Sequence, residues 1–131
     1  MKFLTRDKIQ AAQDAVFQNV NVPEWGGMVR VKALSGAERD AFEASMVEQK
    51  GKKTRMKIQN VRARLVRLTC VDDKGQLIFQ PSDEAWLGEK SAAALDRVFD
   101  VAMRLAGMRD EDIEELTENF TEGQSEDSTS D

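Results

Sequence analysis

The chain of 131 residues contains no histidine and a single cysteine, Cys70. Histidine is the side chain that most often moves protons near neutral pH, and it is the commonest ligand of transition metals. Without histidine, the Ser-His and Cys-His pairs that activate nucleophiles cannot form. A single cysteine excludes an intrachain disulfide and a metal site built from several cysteines. These absences argue against most enzyme classes.

Long apolar runs and glycine-rich phosphate loops are also missing. No run approaches the roughly 20 apolar residues that cross a bilayer. The opening segment, MKFLTRDKIQ, lacks the continuous apolar stretch of a signal peptide, so we expect a cytoplasmic protein. The glycines do not follow the spacing of a Walker or Rossmann loop. We therefore expect a protein that is not an enzyme, with no catalytic residue, cofactor or metal ion.

Charge is plentiful and unevenly distributed. Residues 1–70 carry 14 Lys and Arg against 7 Asp and Glu, a net charge of +7, whereas residues 71–131 carry 5 against 17, a net charge of −12. The two sum to the −5 of the whole chain. Such a division suggests two faces with different partners, or one end of the chain that shields the other.

The pattern of apolar residues predicts an α+β fold, a mainly α-helical single domain over residues 1–120. A β-hairpin is expected at about 17–34, where valines alternate with polar residues on both sides of a Pro-Glu-Trp-Gly-Gly turn. The last segment, 121–131, has no apolar and no basic residue, and we expect it to be a disordered acidic tail.

Helical periodicity and capping signals place the remaining elements. Thr5 is a candidate N-cap for a short first helix. Ser35 and Glu38 have the spacing of a capping box. A short strand is expected at Leu77–Phe79, after a tight turn. The main helices are predicted at about 36–49, 54–70, 82–89, 91–106 and 110–119.

The segment KGKKTRMKIQNVRARLVRL, residues 50–68, holds eight basic residues and no acidic one. Such density suits phosphate binding, although no aromatic side chain lies nearby to stack on bases. On a helical projection its basic residues surround the apolar stripe instead of forming one row. Three interpretations remain: a solvated helix face, a surface for an acidic protein partner, and a nucleic-acid site. The candidate electrostatic surface is formed by Lys50, Lys52, Lys53 and Arg55.

Exposed aromatic residues are candidate contacts with a partner protein. Trp25 lies at the hairpin turn and Trp86 near a helix start, where an uncovered aromatic ring is costly, so each ring either packs locally or contacts a partner. The helix at 91–106 carries a second apolar strip that includes Ala94 and Val101. We predict that this strip, with Trp86 and Phe120, forms a surface for self-association or for a client protein.

Four segments together resemble the tail assembly chaperones of long, flexible-tailed (siphovirus-type) bacteriophages and prophages. They are VPEWGGMVRVKALSGAERDAFEAS at 22–45, NVRARLVRLTCVDDKGQLIF at 60–79, LGEKSAAALDRVFDVAMRLAGM at 87–108 and DEDIEELTENF at 110–120. The resemblance covers about residues 3–120. The most specific blocks are structural signatures and contain no catalytic motif.

The resemblance implies a non-enzymatic assembly factor in the host bacterial cytoplasm, absent from the mature virion. Such a chaperone binds and solubilises the tape measure protein and promotes polymerisation of the tail tube around it. The implied partners are the tape measure protein, the tail tube protein, a frameshifted longer form of the chain, and further copies in a homo-oligomer. Two alternatives stay open, a virion structural component (a minor tail or head-tail joining protein) and a nucleic-acid-binding phage regulator.

Overall fold

The fold is α+β, and the computed structural model of the protein describes residues 2–56 and 59–107. In chain order its helices and strands are α1 Arg6–Ala11, β1 Phe17–Val22, β2 Gly27–Lys32, α2 Gly36–Ser45, β3 Val47–Lys50, β4 Lys53–Met56, α3 Val61–Thr69, β5 Cys70–Val71, α4 Glu84–Leu87 and α5 Ala92–Leu105. Within these ranges no helix is long and apolar enough to cross a membrane.

The central element is a three-stranded antiparallel sheet in the order β1-β2-β5. Its hairpin turns through a short 3-10 segment, Pro23–Trp25, followed by Gly26 with φ of +76°. A residue with a side chain is strained in that left-handed conformation, which explains the glycine. Alternation along the strands places Val20, Val22 and Val31 on the buried face.

The hydrophobic core lies between this sheet face and two helices. Helix α5 packs on β1 and β2, and α3 packs beside it. Ser91 caps α5 by accepting a hydrogen bond from the backbone N–H of Ala94. The apolar positions Leu95, Val98 and Ala102, spaced three and four apart, are buried in the core, so the helical period of this segment determines the packing.

Two predicted helices are shorter than the sequence indicates. Helix α2 has the predicted capping box at Ser35 and Glu38, but it ends at Ser45 instead of 49. The chain then forms a second hairpin, in which β3 pairs with β4 through a turn containing Gly51 at φ +61°. Residues 54–56, predicted as the start of a helix, therefore belong to strand β4.

Helix α3 begins only at Val61, because Asn60 adopts the left-handed conformation and interrupts the helical path. Other predicted elements are also reduced. The strand expected at 77–79 is a single bridge between Leu77 and Val71. The helix expected at 82–89 is a 3-10 turn followed by the short α4. The predicted helix at 110–119 and tail at 121–131 lie outside the described residues.

Candidate functional site

Trp86 on α4 is the predicted partner-binding residue that the structure places at the surface. Its side chain is 47% exposed. The indole Nε1 donates a hydrogen bond of 2.9 Å to Oδ1 of Asp83. The ring meets that of Phe79 edge-on, with centroids 5.9 Å apart, and Nζ of Lys90 lies 5.9 Å from the ring centroid. One side of the indole is therefore fixed by contacts within the chain, while nearly half of the residue surface is exposed.

The orientation of α4 depends on the residues next to Trp86. Leu87 is buried in the core and anchors the helix. Glu84 accepts hydrogen bonds from the guanidinium groups of Arg64 and Arg67, both on α3. This short helix is thus held on both sides, which fixes the direction in which the indole projects.

The carboxylate of Asp83, which accepts the hydrogen bond from the Trp86 indole, is itself fixed by a hydrogen bond from the backbone. Its Oδ2 accepts a 2.7 Å hydrogen bond from the N–H of Gln80. This bond, together with the one from Trp86, lowers the pKa of the Asp83 carboxyl below its ordinary value. Asp83 is therefore charged at neutral pH, and its charge strengthens the bond to the indole.

A second apolar surface lies in the N-terminal segment before the sheet. Helix α1, capped by Thr5, buries none of its residues. The exposed fractions of Phe3, Leu4 and Ile9 are 86%, 72% and 60%. We call residues 2–12 the N-terminal arm. The sequence predicted a short helix after Thr5 but no binding surface there.

The second face of the sheet forms an open groove of about 640 Å³ with the segment after β5. Arg30 lies over the ring of Phe17, 4.2 Å from its centroid, and donates a hydrogen bond to the backbone carbonyl of Asp73. Hydrogen bonds from the backbone N–H groups of Gln76 and Lys74 lower the pKa of Asp72. The lining residues are Asn19, Met28, Val29, Arg30, Val71, Asp72, Asp73 and Ile78. Such mixed chemistry suits a peptide chain better than a small apolar ligand.

The structure does not bring the other predicted contact residues to the surface around Trp86. Ala94 is fully buried in the core, so it cannot contact a partner in this conformation. Val101 and Trp25 are partly buried and pack against the core. Phe120 lies outside the described residues. The predicted second strip of α5 is thus largely used for packing within the chain.

The predicted electrostatic surface is carried by a hairpin and not by a loop and helix. Lys52 and Lys53 have exposed side chains at its turn. Lys50 and Arg55 belong to its two strands. Within α3, Arg64 is buried and Arg67 is mostly buried, each paired with Glu84. The basic surface is therefore smaller than the sequence suggests, because part of the charge is neutralised inside the fold.

Comparison with known proteins gives one family. The family model described as phage tail assembly chaperone matches residues 5–120. Neither the curated proteins nor the solved structures yield a significant match. The matched range includes the hairpin, the sheet and the Trp86 surface.

Proposed function

The chain belongs to the phage tail assembly chaperone family, and from this premise we propose that it binds the tape measure protein and keeps it soluble. We also propose that the chain promotes polymerisation of tail tube subunits around that client. It acts in the host cytoplasm by binding alone, without catalysis, and leaves before the tail is complete. The frameshifted longer form implied by the resemblance would share these contacts.

The family match is the observation that carries this proposal, and the exposed apolar surfaces support it. A tape measure protein is long and rich in amphipathic helix, so a protein that coats it needs apolar contacts. Trp86 offers a large amphipathic ring with a fixed orientation. The N-terminal arm adds the apolar side chains of Phe3, Leu4 and Ile9, which are largely exposed.

Charge supports a protein client more than a nucleic acid. Lys52 and Lys53 project from the β3–β4 hairpin, and Lys50 and Arg55 belong to its strands. The whole chain has a net charge of −5, which disfavours approach to a phosphate backbone. We propose that this hairpin meets acidic protein surfaces, including residues 121–131 of the chain itself.

Co-expression with the tape measure protein of the same phage tests the proposal. We expect the wild-type chain to raise the soluble fraction of the client and to co-purify with it. Trp86→Ala should lower both quantities severalfold, whereas Trp86→Phe should retain most of the effect. Leu77→Ala is the matched control, because Leu77 is 45% exposed and belongs to none of the proposed binding surfaces. A client that is equally soluble with and without the chain would contradict the proposal.

Mass spectrometry of purified virions separates a chaperone from a virion structural component. We expect no peptides of this chain in intact particles, although it should be abundant in the infected cell. Stoichiometric presence in the particles would favour a minor tail or head-tail joining protein instead.

A further inference from the structure

Strand β1 is an edge of the sheet within the described part of the chain. The strand order is β1-β2-β5, so β1 pairs with β2 on one side, and no described strand pairs with it on the other. The described residues do not bury this edge, because Phe17, Asn19 and Asn21 of β1 are all exposed. A row of backbone donors and acceptors is thus available for pairing.

The register shows which backbone groups point outward. The N–H of Ala33 donates to the carbonyl of Val16, so Val16 and Ala33 form a hydrogen-bonded pair. Because such pairs alternate along an antiparallel ladder, residues of even number in β1 bond to β2. The N–H and C=O groups of Phe17, Asn19 and Asn21 therefore point away from β2, in the plane of the sheet and toward its open edge.

This edge lacks the protection usual for an exposed strand. Natural edges carry charged side chains, an internal proline or a bulge, which prevent pairing with another chain. Residues 15–23 contain no charged residue, and the one proline, Pro23, follows the strand. The β1–β2 ladder is continuous from Phe17 to Val22, with no bulge. Within the described residues, the edge is therefore open to a second strand.

We propose that two copies of the chain pair through β1, antiparallel, about a two-fold axis at Asn19. This register sets Asn19 opposite the partner's Asn19, and Phe17 opposite the partner's Asn21. All the outward groups are then used, and since each hydrogen-bonded pair exchanges two bonds, about six interchain hydrogen bonds form. The register also keeps the core faces of both copies on the same side of a continuous six-stranded sheet.

A second copy fits this edge for two reasons. The pairing is isologous, so the same strand supplies both halves and every outward donor finds an acceptor. The chain carries a net charge of −5, which makes copies repel each other, and an uncharged segment is where two of them can approach closely.

Proline scanning at Asn19 tests the pairing in the purified full-length chain, measured by sedimentation velocity over a range of concentrations. The outward N–H of Asn19 is not used by β2, so Asn19→Pro should spare the fold while deleting both central interchain bonds. We expect the dimer dissociation constant to rise at least about tenfold. Asn19→Ala keeps the backbone N–H and should dimerise like the wild type. Circular dichroism verifies that each variant is folded.

A charge exchange supplies a second test that does not depend on proline. Asn19→Asp and Asn19→Lys each place like charges face to face across the axis, and each variant should self-associate severalfold more weakly. Mixed in equal amounts, the two variants should form a heterodimer. Any of three results would overturn the proposal. The wild-type chain could stay monomeric, a folded Asn19→Pro variant could dimerise like the wild type, or the mixture of Asn19→Asp and Asn19→Lys could associate no more tightly than either variant alone. The client is absent, so the outcome is independent of the proposed chaperone activity.

Discussion

The guanidinium of Arg64 donates from Nε to Oε1 of Glu84 at 3.1 Å, although the two residues lie on different helices. The Arg64 side chain is only 9% exposed. Its other nitrogens donate to the backbone carbonyls of Ser45 and Gln59. One buried cation thus joins α3, α4 and the end of α2, and it fixes the helix that carries Trp86.

Replacing Glu84 by Gln should therefore destabilise the chain. The substitution leaves the buried Arg64 charge without its counter-ion, and loss of one partner of a largely buried pair costs roughly 2–4 kcal/mol. The free energy of unfolding from urea titrations measures this. Asp96→Asn removes a comparable pair with Arg62, but both side chains are about half exposed, so a loss below about 1 kcal/mol is expected. Equal losses in the two variants would show that Arg64 is adequately solvated without Glu84.

Local signals in the sequence predicted the elements that depend on local chemistry. The hairpin turn, the Ser35 capping box and the period of α5 each involve residues within a few positions of one another. Arg64 shows where this reasoning fails. A helical projection placed it among the basic residues around the apolar stripe, and none of the three interpretations buried it. Glu84, twenty positions away, allows the charge to be buried. The periodicity of a sequence does not show which ion pairs form between residues far apart in the chain.

The same limit applies to the candidate site. Trp86 was identified from the sequence because an aromatic residue near a polar helix start needs a cover, and the structure leaves it 47% exposed. Ala94 was misplaced, because the two apolar strips of α5 do not reveal which one faces the sheet. The exposed edge of β1 depends on strand order, which the alternation of valines does not determine.

A side chain at position 88 requires the Asn60 side chain to move. A Cβ atom at this position would lie 2.5 Å from Oδ1 of Asn60. Gly88 itself has helical backbone angles, so the cost of Gly88→Ala is that of displacing the Asn60 side chain, and we expect it to destabilise by about 1 kcal/mol. Asn60→Gly removes the clashing amide and suits the positive φ at residue 60.

The double variant, Gly88→Ala with Asn60→Gly, tests this contact in a thermal unfolding cycle. We expect it to be more stable than Gly88→Ala alone, by an interaction energy of about 1 kcal/mol. If the effects of the two substitutions are additive, the destabilisation by Gly88→Ala does not come from contact with Asn60.

Acidification should release the Trp86 indole. The pKa of Asp83 is lowered by the hydrogen bonds from Gln80 and Trp86. A lowered pKa contributes stability that is present above the ordinary value of 3.8 and is lost as pH falls through the folded-state pKa. Fluorescence of a Trp25→Phe variant, in which Trp86 is the remaining tryptophan, should therefore be constant down to about pH 4 and change below it. Asp83→Asn should remove this step, whereas a step near pH 5 or above would mean that the carboxyl is not stabilised.

The thiol of Cys70 should be unreactive in the folded chain. Burial in the core raises its pKa to about 12, so almost no thiolate exists at neutral pH. Since folding disfavours the thiolate, the contribution of this group to stability is complete below the ordinary value of 9.0 and declines as pH rises above it. A disulfide exchange reagent at pH 8 should label the chain only at the rate of unfolding, and urea should accelerate labelling to that of a free thiol. The Cys70→Ala variant, which has no thiol, measures the background signal of the reagent. Rapid labelling of the native chain would mean that the sheet opens locally at β5.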